Sequence, residues 1–384
     1  MIKRLVLIFA VLAALGGLTT RAFAGEPGAA GAAFLKIGAG PRAIGMGETH
    51  TAVADDAYAS YWNPAGLASL QAPELALTYT QHLEGIQQQY LSYAHPLRGA
   101  SALGLNVTRL SVAPFDGYDN NGVKTGSVSS DDLALGGAAA KTFSFPGDDA
   151  PSVSLGCNIK AVRERLASKS ASTVGADFGV LSTDWEGWAG SWAKGLRAGA
   201  ALRHFGPGLK FVSETAALPA TLSLGLALQR ELWKDPLILA ADYSEGAASR
   251  GELSFGGEYW IRRTVAFRAG WRTGQDEGMG LRMGIGVRMH LVQMDYAFAG
   301  FGALGSVHRV GLTFRFGTAP EKPHQGIDEI LQSARGLMEQ ARYYEAILEI
   351  NRALEIDPGD SRTLELLKKV RAKMQVGAPS GRQP

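Results

Sequence analysis

From Pro73 onward, apolar and polar positions alternate with a period of two. Leu75, Leu77 and Tyr79 open the pattern, and Leu103, Leu105 and Val107 repeat it. Val153, Leu155, Cys157 and Ile159 follow, then Val174, Ala176, Phe178 and Val180, then Leu222, Leu224, Leu226 and Leu228. Val265, Phe267, Ala269 and Trp271 precede Leu281, Met283, Ile285, Val287 and Met289. Val292, Met294, Tyr296 and Phe298, then Val310, Leu312, Phe314 and Phe316, end the series. The positions between are polar or small, which predicts strands with one apolar face. About nine alternating residues is the span of a tilted transmembrane strand. Weaker segments at 88–95, 131–143, 196–203, 237–243 and 251–261 bring the count to about 14, an even number that suits an antiparallel barrel. The stretches 111–130 and 204–218 read as long loops on one rim. Arg262-Arg263 and His290 read as tight turns on the other. The connection 182–195 falls on the tight-turn side, and its Trp185, Trp188 and Trp192 suit a membrane interface. A soluble sandwich would expose a charged outer face. Here the polar face is largely Gly and Ala, and aromatic residues crowd the strand tips, so lipid is expected outside.

Different patterns flank this region. Residues 33–70 are rich in Gly and Ala, show no clean period and end in the turn Asn63-Pro64-Ala65-Gly66. This stretch, within a segment 25–72, is expected to fold as a plug inside the barrel 73–317. Residues 318–326 read as a linker. Helical periodicity then predicts three helices within 327–375, and 376–384 reads as a disordered tail. At the start, Lys3-Arg4, the apolar run 5–18 and Ala22-Phe23-Ala24 form a secretory signal expected to be cleaved after Ala24. The expected fold is thus an all-β transmembrane barrel of about 14 antiparallel strands with an N-terminal plug, plus a small C-terminal α-helical domain.

Composition narrows the function classes. The 384 residues carry 38 basic and 36 acidic side chains with no long basic run, so no nucleic-acid partner is expected. With 49 glycines and only 19% charged residues, the chain fits a closed sheet better than a helical soluble enzyme. Cys157 is the sole cysteine and reads as a packing residue.

Candidate chemistry is sparse. Gly38-Ala39-Gly40, with Gly45 and Gly47, lacks the ending of a phosphate loop, and reads as backbone packed against a wall. Asp55 and Asp56 are adjacent, point apart and read as turn or capping residues. The seven histidines show no ligand spacing, so neither a metal nor another cofactor is expected, and no nucleophile triad points to an enzyme. Strand parity turns Glu258, Arg268, Arg282, Arg288, Asp295, Arg309 and Arg315 toward the lumen. Their mixed signs imply cross-strand pairing, either pinning the plug or lining a polar track.

Two resemblances add to this. The runs AFLKIGAGPRAIGMG and TAVADDAYASYWNPAGLA resemble the N-terminal region of the PorV/PorQ family, within the FadL-like outer-membrane barrels. That resemblance implies 14 strands and a hatch, whose motif corresponds to Asn63, Pro64, Ala65 and Gly66. Ala334, Leu337, Tyr343, Ala346, Ala353 and Pro358 are spaced as in one tetratricopeptide repeat, which 334–358 resembles; a plain helical hairpin or coiled coil is the alternative. The strand ending in Phe314 and Phe316 resembles the terminal signal read by the barrel assembly machinery. The family resemblance implies a bacterial outer-membrane location, with the helical domain in the periplasm. The expected function is to bind exported or envelope proteins through outer loops and the C-terminal helices, in type IX-like secretion. The alternative is a FadL-like channel that takes a hydrophobic ligand into the barrel.

Overall fold

The structure, a computed structural model, describes residues 30–143, 151–167, 169–183, 185–211, 214–246, 251–275, 278–317, 323–357 and 359–376. The expected signal 1–24, Pro358 and residues 377–384 of the expected tail lie outside these.

Among the described residues sixteen strands run in chain order: β1 (Glu74–Gln81), β2 (Ile86–Leu97), β3 (Ser101–Tyr118), β4 (Lys124–Phe143), β5 (Ser152–Leu166), β6 (Lys169–Thr183), β7 (Leu196–Phe205), β8 (Leu209–Phe211), β9 (Glu214–Ala216), β10 (Thr221–Leu232), β11 (Asp235–Gly246), β12 (Glu252–Ile261), β13 (Val265–Arg272), β14 (Leu281–Met289), β15 (Val292–Gly300) and β16 (Ser306–Arg315). Fourteen close an antiparallel barrel, with β1 hydrogen-bonded to both β2 and β16; β8 and β9 form a separate two-stranded sheet. The chain enters the barrel at Glu74 and leaves it at Arg315, directly opposite each other on one rim, the entry rim. Several turns there are short, although the connection from Thr183 to Leu196 is longer and partly helical. Trp233-Lys234 and Arg262-Arg263 adopt left-handed backbone, with φ of 52° and 71° and of 50° and 54°, the geometry of tight hairpin turns.

Alternation sorts the wall into two faces. Outward Leu105, Ile159 and Leu226 are 64%, 63% and 57% exposed. Leaving such side chains in water costs about 25 cal/mol per Å² of apolar area, so the belt they form needs lipid. Inward positions are small: Ala76, Ala94, Ala102, Ala138, Ala140, Ala297 and Ala299 are buried against Ile44, Tyr58, Tyr61, Trp62 and Leu67 of the plug.

The plug is built from two short helices, α1 (Pro41–Gly45) and α2 (Ala59–Trp62), joined by turns and 3-10 segments. It runs the length of the lumen. Gly31 N–H donates to Ala217 at the far rim (2.9 Å), and at the entry rim Phe316 N–H donates to Pro73 (3.0 Å).

One loop expectation is corrected. Residues 111–130 are not a loop but the ends of β3 and β4, paired from Val112↔Ser130 to Tyr118↔Lys124. The register shift between Val112 and Phe115 spans Pro114, a residue that cannot donate to the ladder and sits naturally at a bulge. That shift hides the alternation in the sequence.

After the barrel come helices α4 (Pro323–Glu339), α5 (Tyr343–Ile356) and α6 (Ser361–Val376); α3 (Glu186–Ala189) lies between β6 and β7. α4 begins four residues before the expected start, because proline is well suited to a first helical position. Ala334, Ala346 and Ala353 are fully buried with Ile327, Leu331, Ile350 and Val370, and Leu337 and Tyr343 pack at the edge.

Candidate functional site: a plugged lumen with an open wall seam

The hatch motif is a latch between plug and wall. The Asn63 amide donates to Thr51 O (2.7 Å) inside the plug and to Val180 O (3.1 Å) on β6, while its carbonyl accepts from Ala65 N–H (3.2 Å). Glycines on the wall make room for it. A Cβ on Gly179 would lie 2.0 Å from Asn63 Oδ1, and one on Gly156 would lie 2.3 Å from the backbone of Pro64 and Ala65. Within the plug, a Cβ on Gly66 would meet Ala54 O at 2.3 Å. The glycines near α1 serve the same end: Gly47, at φ +72°, faces the backbone of Phe255 and Trp271, and Gly45 faces Gly284.

The inward charges converge on one plug residue, Arg42. Its guanidinium pairs with Asp55 (2.5 Å), Asp56 (3.0 Å) and Glu258 (2.9 Å). Glu258 also binds Arg268 (2.6 Å), and Arg268 binds Asp295 (2.6 Å). Gln293 extends the chain from Asp295 (2.8 Å) to Arg288 and Arg315, and Arg315 pairs with Glu74 (2.6 Å). Asp55 and Asp56 thus grip Arg42, and Asp56 also closes a local turn, accepting from Tyr58 N–H (3.0 Å). Arg282 pairs with Glu48 of the plug (3.3 Å), which also holds Arg272. Arg309, equally buried, joins none of these pairs. A cavity of 1160 Å³ lies at the entry rim, lined by Arg42, Glu258, Trp260, Arg288, Gln293 and Arg315 among others.

Sequence reasoning missed half of this lining. Lys160 and Asp177 (2.7 Å), Arg203 and Asp242 are buried in the first eleven strands, and Asp242 accepts from Thr51 N–H of the plug (2.9 Å). Each sits at inward parity on its strand, the signal that reveals it. Phe314 and Phe316 lie at the entry rim, where Phe316 stacks on outward-facing Tyr93 at 6.0 Å.

One stretch of wall departs from regular pairing. β6 pairs with β7 only from Ala176↔Phe205 to Ser182↔Ala198, with a register shift next to Ala176. β6 itself begins at Lys169, so its far-rim end, 169–175, has no β7 partner among the described residues. The segment after β7 covers this edge. Thr173 donates to Pro207 O (2.9 Å), and β8 lies against β6. The 204–218 stretch is therefore no polar loop: its hairpin tucks inward, with Leu209 and Leu218 buried. Behind the seam they meet Phe34 and Leu35 of the plug and Leu110, Ala134, Val162 and Ala171 of the wall. A packed apolar cluster thus sits at the far rim, beside this gap in the ladder.

A model of an uncharacterised protein family, UPF0164, matches residues 17–215. The chain belongs to that family. No protein of curated function matches it in sequence. Among solved structures, the CymD monoaromatic hydrocarbon channel aligns over 73% of this chain and 98% of its own, at 15% identity and a TM-score of 0.51. The P. putida toluene transporter TodX aligns at 13% identity and a TM-score of 0.49, over 73% of this chain and 99% of its own. A Pseudomonas aeruginosa FadL homologue aligns at 12% identity and a TM-score of 0.45, over 72% of this chain and 98% of its own. The chain shares the barrel fold of CymD; here 14 antiparallel strands close around a plug, with helices after the last strand.

Proposed function

We propose that the protein is an outer-membrane conduit for apolar small molecules, which enter sideways through the β6–β7 seam. The carrying observation is the apolar cluster of Phe34, Leu35, Leu209 and Leu218 behind a stretch of wall without its ladder. A solute dissolved in the outer leaflet meets that cluster without crossing a polar rim. The entry rim, with its short turns, faces the periplasm, and the hatch must shift to let the solute through. CymD, which shares the fold, is a monoaromatic hydrocarbon channel, and that supports an apolar cargo.

The test is uptake of a fluorescent apolar dye by vesicles holding the purified protein. Faster uptake than lipid alone is expected, and Leu209→Arg, which puts charge behind the seam, is expected to slow it about tenfold. Uptake equal to that of bare lipid, or unaffected by Leu209→Arg, rejects the reading.

The terminal helices favour a second reading, a PorV/PorQ-like barrel that binds exported or envelope proteins. α5 presents Tyr344 and Leu348, 78% and 68% exposed, one turn apart on a tetratricopeptide-like hairpin that solute uptake does not need. In this reading, removing 323–376 strips periplasmic partners from the purified protein and leaves dye uptake unchanged; unchanged partners reject it.

A further inference from the structure

We infer that the far half of the lumen holds a binding site for a single oxyanion, centred on Arg309 and Arg282. This does not rest on solute traffic, since the site exists whether or not the barrel conducts.

Arg309 lies inside the wall, 3% exposed. Among the described residues no hydrogen bond or ion pair reaches its guanidinium, and its Nε and Nη1 are buried without a partner. Every other arginine named above as lining the lumen near it has one. Arg272 and Arg282 share Glu48, and Arg268 has Glu258 and Asp295. Glu48 also attracts Arg309, from beyond ion-pair distance, so one carboxylate serves three arginines here.

The polar neighbours of Arg309 also lack partners. Thr80 stands directly opposite it in the β1–β16 ladder, fully buried, and its hydroxyl has no partner. His82, just past the end of β1, has an unpartnered Nδ1 and lies 6.1 Å from the Phe301 ring. Arg282 sits over the other side of this group, its guanidinium 5.9 Å from the same ring, with its own Nε unpartnered. Between Arg282 and Arg309 the inward residues of β15 are Ala297 and Ala299, so that strand brings no carboxylate between the two arginines.

A bound water would meet the hydroxyl and the imidazole. It would leave the guanidinium charge standing, and arginine does not escape by losing its proton. A buried cation that touches no carboxylate, and shares its nearest one with two other arginines, is strongly unfavourable. An oxyanion supplies both the charge and several acceptor lone pairs, and the planar fork of arginine suits it. The chemistry is that of a carboxylate, phosphate or sulfate group. It arrives either as a free inorganic ion or as the anionic end of a larger apolar molecule.

The experiment is calorimetric titration and thermal melting of the full-length protein in a neutral detergent, with inorganic phosphate, hexanoate and hexan-1-ol as probes. Binding of hexanoate or phosphate, and not of hexanol, is expected. Phosphate alone points to a free ion, and hexanoate alone to the end of an apolar molecule. Arg309→Met is expected to weaken binding at least about tenfold, the scale of a lost charge-assisted hydrogen bond, with Arg309→Lys in between. Without anion, Arg309→Met is expected to melt no lower than the parent, because it removes a buried charge that makes no hydrogen bond or salt bridge. Thr80→Val, which keeps the shape of the wall, is expected to weaken binding about threefold. The inference is overturned if neither anion binds, if hexanol binds as well as hexanoate, or if Arg309→Met melts well below the parent. Anion affinity unchanged in both Arg309→Met and Thr80→Val overturns it too.

Discussion

Gly156 and Gly179 show what a single position decides in this molecule. Both lie on the wall where the Asn63-Pro64-Ala65-Gly66 latch touches it, and neither has room for a methyl group. Gly179→Val is expected to lift the latch and destabilise the folded barrel by about 1–3 kcal/mol, the usual cost of overpacking, read as a lower unfolding midpoint in the gel-mobility assay for barrels. Glu258 is the other decisive position. It is fully buried between Arg42 and Arg268. Glu258→Gln removes one of the counter-charges of each arginine, while Arg42 keeps Asp55 and Asp56 and Arg268 keeps Asp295, so a loss of about 1.5–3 kcal/mol is expected in the same assay. The sequence showed that Glu258 faces inward, because parity along a strand is local information. It did not show Arg42 as its partner, because the plug has no period and its contacts are 216 positions away in the chain.

At the scale of elements, strands were legible where alternation is clean and illegible where it is interrupted. Pro114 and the register shift beside it hid the ends of β3 and β4. The inward hairpin β8–β9 was hidden because three-residue strands carry no period. Helix α6 illustrates a legible start. Asp360 accepts from the Thr363 N–H (3.0 Å) and hydroxyl (2.5 Å) as its N-cap. Partial burial raises the carboxyl's pKa, but the Thr363 bonds outweigh it and hold it below the usual value. A depressed pKa stabilises the fold above the unfolded value of about 3.9 and loses that contribution as pH falls through the folded one. Asp360→Ala is expected to cost about 1 kcal/mol at neutral pH. Hydrogen exchange in α6 is the measurement, with faster exchange expected in Asp360→Ala, and in the parent only at acid pH.

The whole molecule joins three devices: a lipid-facing barrel, a latched plug that fills it, and a seam where the wall is closed by a tucked hairpin instead of a ladder. The first two were legible, since a period of two and a Gly-rich insert are written in the chain. The seam was not, because a missing pair appears only when strands are set side by side. The most direct measurement of its role is photolabelling of the vesicle-embedded protein with a small apolar diazirine, followed by peptide mapping. Label is expected on Leu209 and Leu218 behind the seam as well as on outward residues such as Leu105. Label confined to the outward residues would contradict a sideways path into the lumen.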